Sequence, residues 1–207
     1  MPPVTAGPLV ALCAVAGHLQ GLRSIWQGVR WPRLWPFLAA GLAGVPLGTV
    51  LLEHVQVQPL KLGVGLLLIL YSAWMAFVRH PPVVASGGRL ADAAVGLVGG
   101  VLGGMASMSG PAPTIWVQLR GWPKDEQRGV NQPFNMAILA TALLAAGIAG
   151  LLDGRFWLWA AITVPVSLAG ARLGLMLYGR ANDAVFRRLV LALLAVSGTT
   201  LILTALR

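Results

Sequence analysis

The sequence predicts an all-α polytopic membrane protein, and three observations carry that prediction. Of its 207 residues 57% are hydrophobic and 10% charged, against about 25% charged in an ordinary soluble domain, and the mean hydropathy is +0.78. The apolar residues gather into six long stretches, each close to the ~20 residues a helix needs to cross a ~30 Å hydrocarbon core. A further apolar region is interrupted by glycine and proline so densely that no continuous helix runs through it. Little of the chain is left for a soluble domain, so the expected location is the cell membrane, multi-pass, with the lipid bilayer as its surroundings. Cys13 is the only cysteine, which excludes a disulfide framework, a CxxC redox pair and a thiolate metal cluster. The net charge of +9 is spread singly between apolar segments, so no nucleic-acid partner is expected.

The stretches run over residues 7–22, 36–52, 60–78, 131–150, 156–178 and 184–206, and all read as helices. The first is no signal peptide, because no basic residue precedes it and the first arginine, Arg23, follows it. Pro46 and Pro165 inside later stretches are compatible with membrane helices, whose neighbours satisfy the freed backbone groups. Between Asp92 and Leu119 come Gly96, Gly99, Gly100, Gly103 and Gly104, then Ser107-Met108-Ser109-Gly110-Pro111-Ala112-Pro113. Each proline lacks a donor and clashes with the preceding turn, so two half-helices are predicted, about 92–106 and 112–119. At 1.5 Å per residue neither crosses the membrane. Trp26, Trp31, Trp35, Trp116, Trp122, Trp157 and Trp159 are expected at the membrane interfaces.

The two half-helices make either one interrupted span or a re-entrant hairpin, and basic residues decide between them. With a hairpin, Arg23, Arg30, Arg33, Arg79, Arg89, Arg120, Lys124, Arg128, Arg180, Arg187 and Arg188 share one side. Lys61, Arg155 and Arg207 take the other, a split of 11 to 3. An interrupted span gives 7 to 7. The excess of Lys and Arg in cytoplasmic loops favours the hairpin and puts residues 23–35, 79–91, 120–128 and 180–188 in the cytoplasm.

A shift of 126 residues lays Leu42-Ala43-Gly44 and Leu47-Gly48 on Leu168-Ala169-Gly170 and Leu173-Gly174 without a gap. Trp31/Trp157, Gly28/Gly154 and Lys61/Arg187 fall in the same register. Three crossings plus a hairpin invert the second copy relative to the first. The predicted organisation is one membrane domain of two inverted repeats, each a broken or re-entrant helix plus three transmembrane helices. Residues 1–80 form a first repeat that is N-terminally incomplete, and residues 88–207 form the second. Inverted repeats with broken helices near the midplane are the architecture of secondary transporters.

The segment Gly96-Leu-Val-Gly-Gly-Val-Leu-Gly-Gly-Met-Ala-Ser-Met-Ser-Gly-Pro111, the following Gly121-Trp-Pro-Lys and the paired Leu-Ala-Gly-x-x-Leu-Gly motifs resemble the TauE/SafE sulfite exporter family over nearly the whole chain. The resemblance implies a carrier of two homologous halves, associated with sulfite, sulfonates or related organosulfur anions. Its members commonly have about eight membrane segments, each half opening with a Gly-rich element. This chain departs from that pattern, since its first half has no counterpart of residues 90–126, and the true start is expected upstream of Met1 unless the chain is a shortened member. The expected function is transport of a small anionic substrate by alternating access. The alternative is a non-transporting or degenerate membrane subunit of the same fold. A homo-oligomer is possible on either reading.

The residues expected to bind substrate are Ser107, Ser109, Gly110, Asn131 and Asn135. A helix that restarts after the break offers unpaired N–H groups at the positive end of its dipole, and the two serines add hydroxyl donors. Asn131 and Asn135 lie one turn apart on a single face of the next helix, either toward the break or as interhelical glue. Gly99, Gly100, Gly103 and Gly104 are read as structural glycines that let another backbone approach. Glu53, Asp92, Asp125, Glu126, Asp153 and Asp183 all sit at ends or in loops, which disfavours a cation exchanger built on a buried carboxylate. No nucleophile, metal cluster or paired carboxylates lie at membrane depth, so no enzyme activity, metal or cofactor is expected.

Overall fold

Long apolar runs with little charge have one stable form in a bilayer, the helix that pairs its own backbone. The computed structural model describes residues 3–52, 57–78, 83–180 and 182–206, so Glu53, Arg79 and Arg207 lie outside the described residues. Among these residues every regular element is helical: α1 (Pro3–Ile25), a short 3-10 turn (Trp26–Gly28), α2 (Trp31–Leu52), α3 (Val57–Phe77), α4 (Gly88–Ala106), α5 (Pro111–Leu119), α6 (Lys124–Ile148), α7 (Gly154–Arg180) and α8 (Asp183–Ala205). Five of them, α2, α3, α4, α7 and α8, contain spans long and apolar enough to cross a membrane, and the protein is a multi-pass membrane protein.

Each predicted stretch coincides with a helix to within a few residues at its ends, and two of the boundary differences matter. Helix α6 begins at Lys124 rather than 131, because Pro123 precedes it and Asp125 and Glu126 occupy its first turn, where the dipole favours negative charge. Helix α4 begins at Gly88, which corrects the position of Asp92. It is not at a helix end but inside α4, 4% exposed, and the Trp116 Nε1 donates to its Oδ1 at 2.7 Å. That bond also corrects Trp116, which is turned inward. Trp116 is half-buried and Trp122 buried, the latter stacked beneath the guanidiniums of Arg33 and Arg120, whereas Trp26, Trp31, Trp35, Trp157 and Trp159 are exposed as an interface position requires.

Helix α4 carries two glycine faces, and each admits a different neighbour. Gly96, Gly100 and Gly104 lie against α2. A Cβ on Gly100 would come within 2.0 Å of the Gly41 carbonyl oxygen, and one on Gly104 within 2.3 Å of the Val45 oxygen. Helix α2 answers with Gly44 and Gly48, so the two backbones meet through paired notches, the close approach small residues permit in membranes. Gly99 and Gly103 face the other way. The Phe134 ring fills the notch at Gly99 and the Ile138 side chain the one at Gly103. Around this contact Leu34, Phe37, Val45, Val117, Phe134 and Ile138 form the principal core. Separate clusters join α3 to α8 through Leu68, Met75 and Leu191, and α1 to α7 through Leu9, Phe156 and Ala160.

The chain entering α4 and the chain leaving α5 lie side by side. The Val84 N–H donates to the Leu119 carbonyl at 2.8 Å, and Arg120 Nη1 reaches the carbonyls of Val84, Ala85 and Ser86 at 3.1–3.3 Å. Arg30 pairs with Glu126 at 2.8 Å, Arg33 pairs with the same carboxylate, and the Lys124 N–H donates to Asp183 Oδ1 at 3.1 Å. The connections before α2, before α4, between α5 and α6, and between α7 and α8 therefore meet at one end of the bundle.

Candidate functional site

The break between α4 and α5 has a defined geometry. Helix α4 ends in a reverse turn in which the Ser107 N–H donates to the Gly103 carbonyl at 2.9 Å and the Met108 N–H to the Leu102 carbonyl at 3.2 Å. Ser107 closes that turn at φ 55, the left-handed region, and no other non-glycine described residue has positive φ. Glycine is the usual residue there, so a serine holds strain of about 1 kcal/mol. Helix α5 restarts at Pro111, with Gly110 as the residue before it. Prolines at 111 and 113 carry no N–H, so Ala112 supplies the one backbone donor of the first three helical positions. The restarting helix is thus a poorer source of backbone donors than its dipole alone implies, and side chains must contribute.

The side chains come from the break and from α6. Ser109 is 2% exposed, and its hydroxyl donates to Asn135 Oδ1 at 2.7 Å. The Asn135 amide sits over Gly110, 3.8 Å from where a Cβ there would be. Phe134 and Ile138, seated in the notches of α4, fix the rotation of α6 that delivers Asn135 to this point. Ser109, Gly110 and Asn135 are therefore brought together. Ser107 lies at the other lip of the turn, its hydroxyl 3.7 Å from the Cβ position of Gly7 on α1. Asn131, one turn from Asn135, has a buried side-chain oxygen without a hydrogen-bond partner. No structural observation joins Asn131 directly to the Ser109–Asn135 pair. Thr141 donates to the Ala137 carbonyl within its own helix at 2.9 Å and stands apart from the break.

Arg128 is a residue that sequence reasoning placed only in a cytoplasmic loop. It is 9% exposed, sits inside α6, and its guanidinium lies 4.1 Å over the Tyr178 ring. Its Nη1 is buried and unpartnered, and no described carboxylate is within ion-pair distance of it. With the Gln132 amide oriented to satisfy both its ends, its oxygen accepts from Arg128 Nε at 3.2 Å. Arg128 precedes Asn131 by three residues and Asn135 by seven, which sets all three on one stripe of α6. The signal lay in the sequence as that spacing, obscured by the charged cluster beside it.

A helical membrane protein with one broken helix, and with neutral hydrogen-bonding groups gathered at the break, is the class these features define. The sequence model described as "Sulfite exporter TauE/SafE" matches residues 1–201. The chain belongs to the TauE/SafE family. It is also 27% identical over 209 residues to the "Probable sulfite/organosulfonate exporter TauE" of Cupriavidus necator, covering 99% of this chain and 81% of that protein. No solved structure matches it.

Proposed function

We propose that this protein carries small anions, sulfite or organosulfonates, across the cell membrane by alternating access, with Ser107, Ser109, Gly110, Asn131 and Asn135 holding the substrate. The observation that carries the reading is the Ser109–Asn135 hydrogen bond at the break, a buried pair of neutral groups at the start of a half-helix. Hydroxyl, amide and one helix N-terminus suit an oxyanion, which needs donors rather than carboxylates. Membrane-depth irregular backbone is tolerated where it is buried or lines a cavity, and here Ser109 is packed closed, as in an occluded state. Arg128 then lies on the path between the pair and the cytoplasmic end. The printed name of the Cupriavidus relative supports the substrate class.

The helix packing supports the inverted repeat and the re-entrant hairpin. Exchanging α1 with α6, α2 with α7 and α3 with α8 converts the α1–α7 contact into the α6–α2 contact and maps the α1–α6 and α3–α8 contacts onto themselves. The hydrogen bond from Val84 to Leu119 supports entry and exit of α4–α5 on one side. One observation favours the second reading, a non-transporting subunit: Gly170 and Gly174 on α7, the mates of Gly44 and Gly48, face open space where α2 holds α4.

Flux of radiolabelled sulfite, a sulfonate and thiosulfate, measured in a strain lacking its own exporter, tests the proposal. Substrate-dependent flux that Ser109→Ala and Asn135→Ala abolish, at unchanged membrane expression, is the expected result. No flux with any of the three would establish the subunit reading instead, and flux untouched by either substitution would reassign the pair to packing.

A further inference from the structure

A groove of about 730 Å³ runs between α3 and α8, apart from the broken helix. Small side chains line it on both helices, Ala73 and Ala76 on α3 and Ala192 and Ala195 on α8, and leave open space between them. Its mouth is basic. Arg187 and the exposed Arg188 both line it, and neither has a described carboxylate within ion-pair distance. Asp183, one turn from Arg187, accepts from the Lys124 N–H.

The height of the mouth is set by the hydrogen bonds of Arg187. Its Nη2 donates to the carbonyls of Met75 in the last turn of α3 at 2.7 Å and of Val78 just beyond it at 3.4 Å, so the guanidinium stands at the end of that helix. Its Nε is buried without a partner. One turn deeper, Ser72 lines the groove at 5% exposure, and its hydroxyl also lacks a partner. Thr49, Thr141, Thr163, Thr199 and Thr200 all return their hydroxyls to the carbonyl four residues back, the ordinary resting place in a helix, and Ser72 does not. Ala195 lies eight residues beyond Arg187, about 12 Å further into the membrane. From mouth to floor the order is two cations, then Ser72 beside Ala73, then the apolar side chains of Ile69, Ala192 and Ala195. A phosphate, a glycerol ester and an acyl chain follow one another at the same depths.

We infer that this groove is a binding site for an anionic phospholipid, its phosphate between Arg187 and Arg188, its ester region near Ser72 and one acyl chain along Ile69, Ala192 and Ala195. Basic pockets between helices at the cytoplasmic level take such headgroups, and each arginine near the surface contributes about fivefold in affinity. The site bears on anchoring and stability of the α3–α8 pair, and no residue of α4 or α5 lines it.

The test uses the full-length purified protein, with retained lipid counted by native mass spectrometry after exposure to phosphatidylglycerol or phosphatidylcholine. Phosphatidylglycerol is expected to be retained at least about fivefold better. Arg188→Gln should lower its retention about fivefold, and Ala192→Leu, which fills the groove and leaves both charges, should lower it too. Arg187 is left intact because it caps α3. Both variants should keep the wild-type melting midpoint in lipid-free detergent, so that a loss of lipid is not a loss of fold. Equal retention of the two lipids, or wild-type retention by both variants, overturns the assignment. So does displacement of phosphatidylglycerol by millimolar inorganic phosphate or sulfite, which would make the mouth a site for free anions.

Discussion

Gly48 and Gly174 close the two Leu-Ala-Gly-x-x-Leu-Gly motifs, both in helix interiors, and alanine at each should have opposite consequences. A Cβ on Gly48 would stand 2.2 Å from the Val101 carbonyl oxygen and 2.9 Å from its carbon, both backbone atoms of α4. Ordinary contact begins near 3.4 Å, so α2 and α4 must part by about 1 Å over an interface that also holds Gly41, Gly44, Gly100 and Gly104. Overpacking of this kind costs about 3 kcal/mol, and removal of a helical glycine returns about 1 kcal/mol, for a net loss near 2 kcal/mol. At Gly174 nothing lies within 4 Å, so only the gain of about 1 kcal/mol remains. For a chain of this length these figures correspond to a melting midpoint about 6 °C lower for Gly48→Ala and about 3 °C higher for Gly174→Ala. Thermal unfolding in one detergent, followed by intrinsic tryptophan fluorescence, reads both. Equal shifts of the same sign would refute the argument, because the two sites share helix propensity and differ only in what faces them.

Ser107→Gly should raise the melting midpoint by an amount equivalent to about 1 kcal/mol, since glycine adopts the left-handed turn without strain; a lower midpoint would mean that the hydroxyl holds the turn together. Trp116→Phe should cost about 2 kcal/mol by leaving the buried Asp92 carboxylate without its donor, and Asp92→Asn, which keeps an acceptor, should cost less when both are measured by thermal unfolding. In a Cys13→Ser background, Asp125→Cys should escape an impermeant thiol reagent added to intact cells and react after lysis; labelling before lysis would reverse the proposed orientation.

Most of the helical inventory was legible from residue type alone. Six apolar stretches reappear in α1, α2, α3, α6, α7 and α8, and the serine–proline run reappears as the break between α4 and α5. Length and hydropathy determine such elements locally, because a bilayer leaves an apolar chain no alternative to pairing its own backbone. The nearness of Ser109 to Asn135 was partly legible, since a broken turn and a polar helix face in succession have little else to meet. What escaped were partnerships over long sequence separations. Asp92 and Trp116 read as a helix end and an interface anchor until α5 folded back against α4, and Arg128 read as a loop charge until the first turns of α6 were found to be helical.

The sequence by itself determined that the chain spans a membrane with helices, where those helices lie and where one breaks. Tertiary structure alone decided which copy of a motif has a neighbour. Leu-Ala-Gly-x-x-Leu-Gly occurs in α2 and α7 with the same small residues at the same spacing, yet Gly44 and Gly48 are pressed on the backbone of α4 while Gly170 and Gly174 meet nothing within 4 Å. A glycine records only that close approach is permitted. Whether another backbone arrives is settled by packing across the whole chain, and that is information no local spacing contains.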